Sequence, residues 1–517
     1  MWRKLLRNAL SNLTGTVIGL AVGFVTMPLV VHHLGPTQFG LWVLATGVVG
    51  YVGVLDLGLA PTLVNEAAAL LVHDDAEART RLDETTSTIY AVYAGLGLAA
   101  ALGLATVALG ASRLFQVAPD DLATFRIVLL VFGVQTALGL PMSVWNGLLS
   151  GLQAFHVLNA IGVVTTVVRG ALTIALVLTG HGLVALVGSS FAVTLAGWLA
   201  ARACVHRRIA GLHVRLTGFR RARLREIGRF SIAMIVWTAA GATLHQLDRI
   251  LIGVVLPVAS LTTYEIGARL ANYSRALLHS WLGIVMPATS ALAARGERGR
   301  LRSLYLRTTR YLMTTYAGVV ALLLGFGGPL VRLWMGPGFE EGYVVMSLLL
   351  VGSLVQSQNV VAHVMLPGLG ELRVFTIFMG IYPVVTAACA VTGILTAGLT
   401  GLAAGTATAM LVMESVFLVV VRRRFGVSLR RVLARCHWPV AKATLPAALW
   451  IVLLRLVTPI ESWLALAVTG AVAGLVFVSA AWTGALTPAE RRAVSSALAE
   501  RWRRAAARTE LPGEASC

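Results

Sequence analysis

Runs of about twenty apolar residues alternate along the chain with short polar or basic segments. A helix of roughly 20 apolar residues crosses the roughly 30 Å hydrocarbon core of a bilayer. The pattern therefore predicts an all-α polytopic membrane protein with about fourteen transmembrane helices. Twelve is the alternative, since the thirteenth run is short. The predicted spans are 12–31, 39–63, 88–110, 123–148, 158–180, 182–204, 230–252, 264–294, 306–327, 343–366, 374–396, 399–421, 442–457 and 463–485.

The basic residues are distributed unevenly between the segments that join these spans. If the first residues lie in the cytoplasm, 34 of the 42 Lys and Arg side chains fall in segments that face inside. Cytoplasmic loops of membrane proteins carry such an excess of Lys and Arg. The count predicts an even number of spans and cytoplasmic termini. The basic opening MWRKLLRNALSN runs directly into an apolar segment with no convincing small-residue cleavage site, so we expect a retained first span.

Composition excludes several classes of protein. Hydrophobic residues make up 57% of the chain and charged residues 12%, whereas soluble domains carry about 25% charged residues. A soluble globular protein and a disordered chain are therefore excluded, and the low charge argues against a large extramembranous catalytic domain. The net charge of +20 indicates anionic membrane lipids rather than nucleic acid as a partner. The four cysteines are too scattered for a metal or disulfide framework, and we expect no cofactor and no metal.

Two junctions between spans share a sequence pattern. LSGLQAFHVL at 149–158 matches LPGLGELRVF at 366–375, and the offset is 217 residues. The first junction lies between spans 4 and 5 and the second between spans 10 and 11. The match predicts two six-span lobes of the same orientation, followed by two further spans. The predicted parts are an N-lobe at 1–206, a basic cytoplasmic linker at 207–229, a C-lobe at 230–424, spans 13 and 14 at 425–485 and a basic cytoplasmic tail helix at 486–517.

Two further segments carry charge outside the spans. Thr487 to Glu490 has the form of a capping box, and the basic helix predicted after it carries Trp502. Anionic lipid headgroups favour this tail on the cytoplasmic membrane surface; a solvated charged tail is the alternative. The acidic segment 65–87 is expected to be a solvated helix without chemistry.

Ionisable residues inside spans are costly and mark candidate functional sites. At 100° per residue, five polar side chains of the eighth span fall within about 120° of one another. They are Glu265, Arg269, Asn272, Arg275 and His279. Such a stripe is expected to face a wet cavity, where guanidinium groups bind anionic oxygens. The alternative is that Glu265 and Arg269, at i and i+4, only neutralise each other.

Other intramembrane groups have two interpretations each. Arg169 in span 5 either faces the same cavity or pairs with Asp56 in span 2. Asp56, Glu414 and Glu265 are candidates for coupling transport to an ion gradient, and a structural hydrogen bond is an equal alternative for the first two. For Asp248 and Arg249 a structural role is favoured. The remaining polar cluster is expected to join helices rather than to contact sugar hydroxyls. It consists of Gln356, Gln358, Asn359 and His363.

The chain resembles the Wzx-like polysaccharide flippases of the multidrug/oligosaccharidyl-lipid/polysaccharide (MOP) exporter superfamily. The resemblance covers roughly residues 1–425 and depends on the order and spacing of several short motifs. These are PLVVHHLGPTQFGLW at 28–42, Gly-Leu-Gln-x-Phe at 151–155, LHQLDRILIG at 244–253, Tyr264 at the entry to span 8, and RLWMGPGFEEG at 332–342.

The resemblance implies a fold, a substrate and a location. The family has twelve or fourteen spans in two six-span lobes. It moves a lipid-linked oligosaccharide, usually on undecaprenyl pyrophosphate, from the cytoplasmic to the outer leaflet of the bacterial inner membrane. Alternating access would take the charged head into the arginine-lined cavity while the lipid tail stays in the bilayer. Surface-polysaccharide polymerase and chain-length machinery are the partners that the resemblance implies.

Three other functions are weighed against flipping. A multidrug or cation antiporter of the same superfamily should favour carboxylates and aromatic rings over internal arginines. A membrane glycosyltransferase, polymerase or ligase needs a sizeable outer loop, and the longest one, near 328–342, is about fifteen residues long. A scaffold has no need of buried charge. We therefore expect a transporter rather than an enzyme.

Overall fold

The computed structural model describes residues 2–56, 59–69, 76–209, 211–228, 231–279, 285–493, 495–496 and 499–500. These residues are helical almost throughout, and no strand occurs among them. The helices are α1 Trp2–Gly50, α2 Ala60–Ala69, α3 Ala76–Leu109, α4 Ala111–Leu114, α5 Pro119–Gly151, α6 Phe155–Leu178, α7 Leu183–Arg208, α8 Arg221–Gly228, α9 Ser231–Val255, α10 Ser260–His279, α11 Val285–Ala294, α12 Arg298–Met335, α13 Glu340–Gln356, α14 Val360–Gly368, α15 Leu372–Arg424, α16 Leu429–Val432, α17 Trp438–Val457 and α18 Trp463–Gly484. The predicted all-α polytopic fold class is confirmed.

Many of these helices are long and apolar enough to cross a membrane. Within the described ranges nine qualify, or ten if α13 and α14, which meet at a bend of 42°, form one broken span. The 49-residue α1 breaks at Gly35 (φ 81°), and the 53-residue α15 breaks at Gly398 (φ 60°), so each contains two spans. Since α9 and α10 match the seventh and eighth predicted spans, the described helices are compatible with the predicted fourteen.

Two predicted spans are not continuous helices. The second, expected at 39–63, is α-helical only to Gly50 and continues as a 3₁₀ turn at Tyr51–Asp56 before α2 begins. Glycines near this point and Pro61 at the start of α2 explain the break, because both residue types disfavour a helix interior. The eighth, expected at 264–294, begins earlier, at Ser260. It is described as α10 and α11 on either side of residues 280–284, which lie outside the described part.

The two junctions of the predicted repeat share a backbone conformation. Gln153, just after α5, has φ 53°, and Gly370, just after α14, has φ 77°. They occupy equivalent positions of the two motifs, 217 residues apart. Among the non-glycine residues of the described part, Gln153 alone has a positive φ. Such a conformation is uncommon outside glycine, so both turns place a residue of positive φ at the matching position, and the internal repeat itself stays a prediction.

The chain divides into two compact units. The first comprises Met1–Gly283, Trp334–Gly352 and Gly370–Met413, and the second comprises Ile284–Leu333, Ser353–Leu369 and Glu414–Cys517. A core of the first unit lies among α2, α3, α5 and α7, where Tyr93 and Leu148 are fully buried and Trp145 nearly so. The lobe boundaries expected from the repeat are a separate hypothesis and stay a prediction.

In the second unit, small residues allow α12, α17 and α18 to approach closely. A Cβ atom placed on Gly325 of α12 would lie 2.2 Å from a side-chain carbon of Ile451, and one on Gly318 would lie 2.4 Å from the ring of Phe477. In a lipid environment packing of this kind holds helices together, because there is no hydrophobic drive between them. Phe326, Ile451 and Ala473 form the buried centre of this contact.

The predicted capping box is confirmed, and its Glu490 also forms an ion pair with Arg310 in the second unit. The backbone N–H of Thr487 donates to Glu490 Oε2 at 2.8 Å, and the Glu490 N–H donates to Thr487 Oγ1 at 3.4 Å. Glu490 also accepts hydrogen bonds of 2.5 and 2.7 Å from Arg310 Nη2 and of 2.5 Å from the Tyr311 hydroxyl. Burial alone would raise the pKa of Glu490, but the bonds from Tyr311 and Thr487 and the charge of Arg310 lower it to about 2. Trp502 lies outside the described residues.

Candidate substrate-binding site

The helical hairpin formed by α9 and α10 places opposite charges at one depth. Arg249 lies eight residues before Pro257 in the connecting turn, and Glu265 lies eight residues after it. In an antiparallel pair of helices, residues equally far from the turn face each other at the same level. Glu265 is 4% exposed, so its charge depends on partners within the protein.

Two arginines share the Glu265 carboxylate. Arg249 donates from Nε and Nη2 to Oε2 at 3.1 and 3.0 Å, and Arg269 donates from Nε and Nη2 to Oε1 at 3.3 and 3.1 Å. Arg249 also donates from Nη1 to Gln246 Oε1 at 2.5 Å. The i, i+4 neutralisation considered for Glu265 and Arg269 is therefore present. This neutralisation leaves one net positive charge in the triad, because two arginines share a single carboxylate.

Asp248 makes separate contacts beside this triad. It accepts hydrogen bonds from the Tyr264 hydroxyl and, at 3.0 Å, from Thr406 Oγ1 of α15. Asp248 interacts electrostatically with both Arg249 and Arg275. Three arginines and two carboxylates thus lie close together in the first unit. The group carries an excess of one positive charge, and guanidinium groups bind anionic oxygens.

The deeper members of the predicted stripe lie further along α10. Arg275 donates to Asn272 Oδ1, and both side chains are half-buried. The side chain of His279 lies outside the described part, so its assignment stays a prediction. The structure therefore brings Glu265, Arg269, Asn272 and Arg275 together on one helix, as the periodicity predicts.

The turn between the first two spans packs against the start of α10. Thr262 Oγ1 donates to the Pro36 carbonyl oxygen at 2.5 Å, and the Arg269 guanidinium lies 5.9 Å from the centre of the Phe39 ring. Gly40 approaches the opposite backbone so closely that a Cβ atom on it would lie 2.2 Å from the Val258 carbonyl oxygen. Residues of the 28–42 motif therefore contact the end of the hairpin that carries the charge cluster.

Arg169 lies apart from this cluster. Its Nη2 donates to Thr194 Oγ1 of α7 at 3.0 Å, and the residue is exposed in the isolated chain. The side chain of Asp56 lies outside the described part. Both interpretations of Arg169, a cavity residue and a partner of Asp56, therefore stay predictions.

Glu414 is the buried carboxylate of the second unit. It is fully buried and accepts hydrogen bonds from Asn359 Nδ2 at 2.8 Å and Gln356 Nε2 at 3.3 Å. Asn359 Nδ2 also donates to the Glu414 carbonyl oxygen at 2.6 Å, and His363 Nε2 lies 3.6 Å from the carboxylate. Three members of the polar cluster of 356–363 thus join α13 and α14 to α15, which is the interhelical role expected for them. In the part of the chain that the structure describes, no group of three or more His, Cys, Asp or Glu side chains is arranged to hold a metal ion.

Arg249 is the functional candidate that the residue-by-residue interpretation missed. A structural role for the Asp248–Arg249 pair is favoured when only adjacent residues are compared. One feature of the sequence points to the pairing of Arg249 with Glu265: the two residues lie equally far from Pro257 in the connecting turn.

A family model described as "Polysaccharide biosynthesis protein" matches residues 30–343, well over half of the chain. The chain belongs to this family. A curated relative, a putative O-antigen transporter of Shigella flexneri, is 19% identical over 377 residues, which are 72% of this chain and 86% of the relative. The predicted resemblance to the polysaccharide flippases is thereby confirmed.

Solved structures of MOP-superfamily transporters share the fold. The lipid II flippase MurJ in an inward closed conformation aligns with a TM-score of 0.69 at 12% identity, covering 92% of this chain and 98% of MurJ. An inward-facing multidrug transporter of the MATE family aligns with a TM-score of 0.68 at 16% identity, covering 81% and 98%. These likenesses show the fold, and this member of the polysaccharide biosynthesis family is a multi-pass membrane protein. Its relatives are described as transporters and flippases rather than as enzymes.

Proposed function

We propose that this protein flips a lipid-linked oligosaccharide, of the undecaprenyl pyrophosphate type, from the cytoplasmic to the outer leaflet of a bacterial inner membrane. The observation that carries the proposal is the cluster of Arg249, Arg269 and Arg275 on the α9–α10 hairpin, which exceeds its two carboxylates by one charge. A pyrophosphate group is an anion with several oxygens, and planar guanidinium groups bind such oxygens in pairs.

The partners of each arginine suggest different roles. Arg275 donates to the neutral side chain of Asn272, and Arg169 donates to the neutral hydroxyl of Thr194. We assign these two, with Asn272 and His279, to substrate contact. Arg269 shares Glu265 with Arg249 and is assigned to the rim of the same site.

Ion coupling is the second part of the proposal. Two arginines already neutralise Glu265. We therefore assign Glu265 to positioning these arginines rather than to binding a coupling ion. Glu414 is buried among amide groups and one histidine and can exchange a proton or a cation without breaking a strong ion pair. We therefore propose Glu414, and Asp56 as the further candidate, as the coupling group.

The test uses a bacterial strain that lacks this transporter and regains surface polysaccharide when the gene is returned. Arg275→Ala and Arg169→Ala should abolish export while the protein stays in the membrane, and lipid-linked oligosaccharide should accumulate in the cytoplasmic leaflet. Arg332→Ala, at an exposed arginine beyond the cluster, is the matched control and should export normally. Normal export by both the Arg275→Ala and the Arg169→Ala variants would contradict the substrate-binding assignment.

A multidrug or cation antiporter is the second candidate, favoured by the fold shared with MATE transporters and by the buried Glu414. An antiporter would expel cationic dyes from intact cells, and Glu414→Gln would stop the efflux. Efflux without any effect on surface polysaccharide would replace flipping by this function.

A further inference from the structure

The linker between the two predicted lobes has a fixed shape on the surface of α3. Its main chain is held by buried hydroxyl groups: Ser87 Oγ donates to the His213 carbonyl oxygen and accepts from the Arg215 N–H, each at 3.2 Å. Thr88 Oγ1 accepts from the Arg220 N–H at 3.1 Å. Ser87 and Thr88 are 3% and 0% exposed, so these bonds are shielded from water.

Charged groups of α3 complete this attachment. The His213 N–H donates to Asp83 Oδ1 at 3.3 Å, and the Glu84 carboxylate lies 3.7 and 3.4 Å from Nε of Arg220 and Arg223. The solvated helix predicted for the acidic segment 65–87 is corrected here, because Asp83 and Glu84 have partners in the linker. In the structure the last residues of this segment bind the basic linker.

The attachment leaves two apolar side chains facing outward. Leu212 is buried in the core of the unit, but Leu216 is 59% exposed and Phe219 is 43% exposed. The 3₁₀ turn Leu216–Gly218 packs closely against α3 at its last residue, because a Cβ atom on Gly218 would lie 2.7 Å from the Ser87 side chain. Four exposed arginines lie near Leu216 and Phe219 in the sequence, namely Arg215, Arg220, Arg221 and Arg225.

We propose that the linker surface formed by residues 212–225 is a binding site for anionic phospholipid at the cytoplasmic face of the membrane. Leu216 and Phe219 insert at the boundary between headgroups and acyl chains, and the neighbouring arginines contact lipid phosphates. The charge complementarity and the two outward apolar side chains argue for this occupant, because both favour a negatively charged membrane surface. The inference rests on the predicted cytoplasmic location of the linker and goes beyond the proposed transport activity.

The experiment measures the depth of the linker in vesicles. The full-length protein, with its four cysteines replaced by serine, carries a nitroxide label at Leu216→Cys. It is reconstituted in vesicles of phosphatidylcholine alone, or of phosphatidylcholine with about 30% of the anionic lipid phosphatidylglycerol. Collision rates with oxygen and with a water-soluble nickel complex give the depth of the label. We expect an immersed label in the anionic vesicles and a water-exposed label in the neutral ones. A label at Arg300→Cys, an exposed position outside the linker, should stay in water in both.

Three double variants separate this site from a general effect of charge. Arg221→Gln with Arg225→Gln should lower the ratio of immersed to exposed label about 25-fold, since each arginine near an anionic surface contributes about fivefold. Arg298→Gln with Arg300→Gln removes the same charge elsewhere and should change the ratio less than twofold. Ser87→Ala with Thr88→Val keeps every charge but should broaden the label spectrum and reduce immersion.

Three results would overturn the proposal. A label that stays in water in anionic vesicles would exclude a lipid site and leave an acidic protein as the partner of this surface. Equal immersion in neutral and anionic vesicles would exclude recognition of phosphate charge. An equal loss in the Arg298/Arg300 variant would show that net charge alone, rather than the linker surface, governs the contact.

Discussion

The ion triad of Arg249, Glu265 and Arg269 allows stability and transport to be separated experimentally. Glu265→Gln keeps the size of the side chain but removes the charge that both arginines share. Glu265 accepts four hydrogen bonds of 3.0–3.3 Å from them. The variant therefore leaves two guanidinium groups in a half-buried site without a counter-charge.

The expected loss follows from the burial of the three partners. Removing one partner of a buried ion pair costs about 3–5 kcal/mol. Here the whole Glu265 side chain is 6% exposed, but the side chains of Arg249 and Arg269 are 18% and 27% exposed and keep some solvation. We therefore expect Glu265→Gln to lower the free energy of unfolding by about 3 kcal/mol, at the lower end of that range.

Replacing the whole triad should cost less than breaking it. In the variant Arg249→Met, Glu265→Leu, Arg269→Met no charge remains to be compensated, and exchange of a buried ionic group for apolar residues is often neutral. We expect its free energy of unfolding to lie within about 1 kcal/mol of the parent protein. Since the positive excess is gone, we expect this variant to be stable but inactive in export.

The measurement is denaturant-induced unfolding of the full-length protein in mixed micelles, followed by tryptophan fluorescence, together with export in the deletion strain. Glu297→Gln is the matched control, since Glu297 forms an i, i+3 pair with the exposed Arg300 and its loss should change stability by less than about 1 kcal/mol. If the triple variant is destabilised as much as Glu265→Gln, the assignment of the loss to uncompensated charge is wrong.

Substitutions at three other positions test contacts elsewhere in the chain. The pKa of Glu490 is about 2 against an ordinary 4.5. The pair with Arg310 should therefore stabilise the protein fully above about pH 4.5 and progressively less toward pH 2, and Glu490→Gln should remove this dependence in thermal unfolding scans between pH 2 and 7. Gly40→Ala places a methyl group against a backbone carbonyl oxygen and should cost about 1–3 kcal/mol in the same micelle assay, whereas an unchanged protein would mean that the contact relaxes freely. Asn359→Leu removes a hydrogen-bond donor from the buried Glu414 and should lower the free energy of unfolding by about 1–3 kcal/mol. Asn359→Asp should not restore the stability, because an ionised carboxylate cannot donate a hydrogen bond.

Local features of the fold were predictable from the sequence. The turn at Gly35, the capping box from Thr487 to Glu490 and the paired junctions at Gln153 and Gly370 each depend on residues close together in the chain. Glycine conformations and cap hydrogen bonds need no tertiary information. Their positions therefore followed from motif and spacing alone.

The contacts that position the candidate site were harder to predict, because their partners are distant in sequence. Glu414 receives its donors from 55 and 58 residues away, and the linker meets Ser87 across more than a hundred residues. Helical periodicity places a side chain on a face of its own helix but does not say which helix packs there. The pairing of Arg249 with Glu265 is an intermediate case, since only the length of the connecting turn had to be known.

The partners of the intramembrane arginines also bear on which of them meets the substrate. Arg249 and Arg269 are bound to a carboxylate in this conformation, so an incoming anion has to compete with Glu265 for them. Arg275 and Arg169 donate their hydrogen bonds to an amide and a hydroxyl, and Arg275 also interacts electrostatically with Asp248. A neutral hydrogen-bond acceptor is displaced by a phosphate oxygen at lower cost than a carboxylate, because charge-assisted hydrogen bonds are the stronger ones. Substitution of Arg275 or Arg169 should therefore impair transport more than stability. Substitution of Arg249 should destabilise the protein first, since it leaves Glu265 with a single partner.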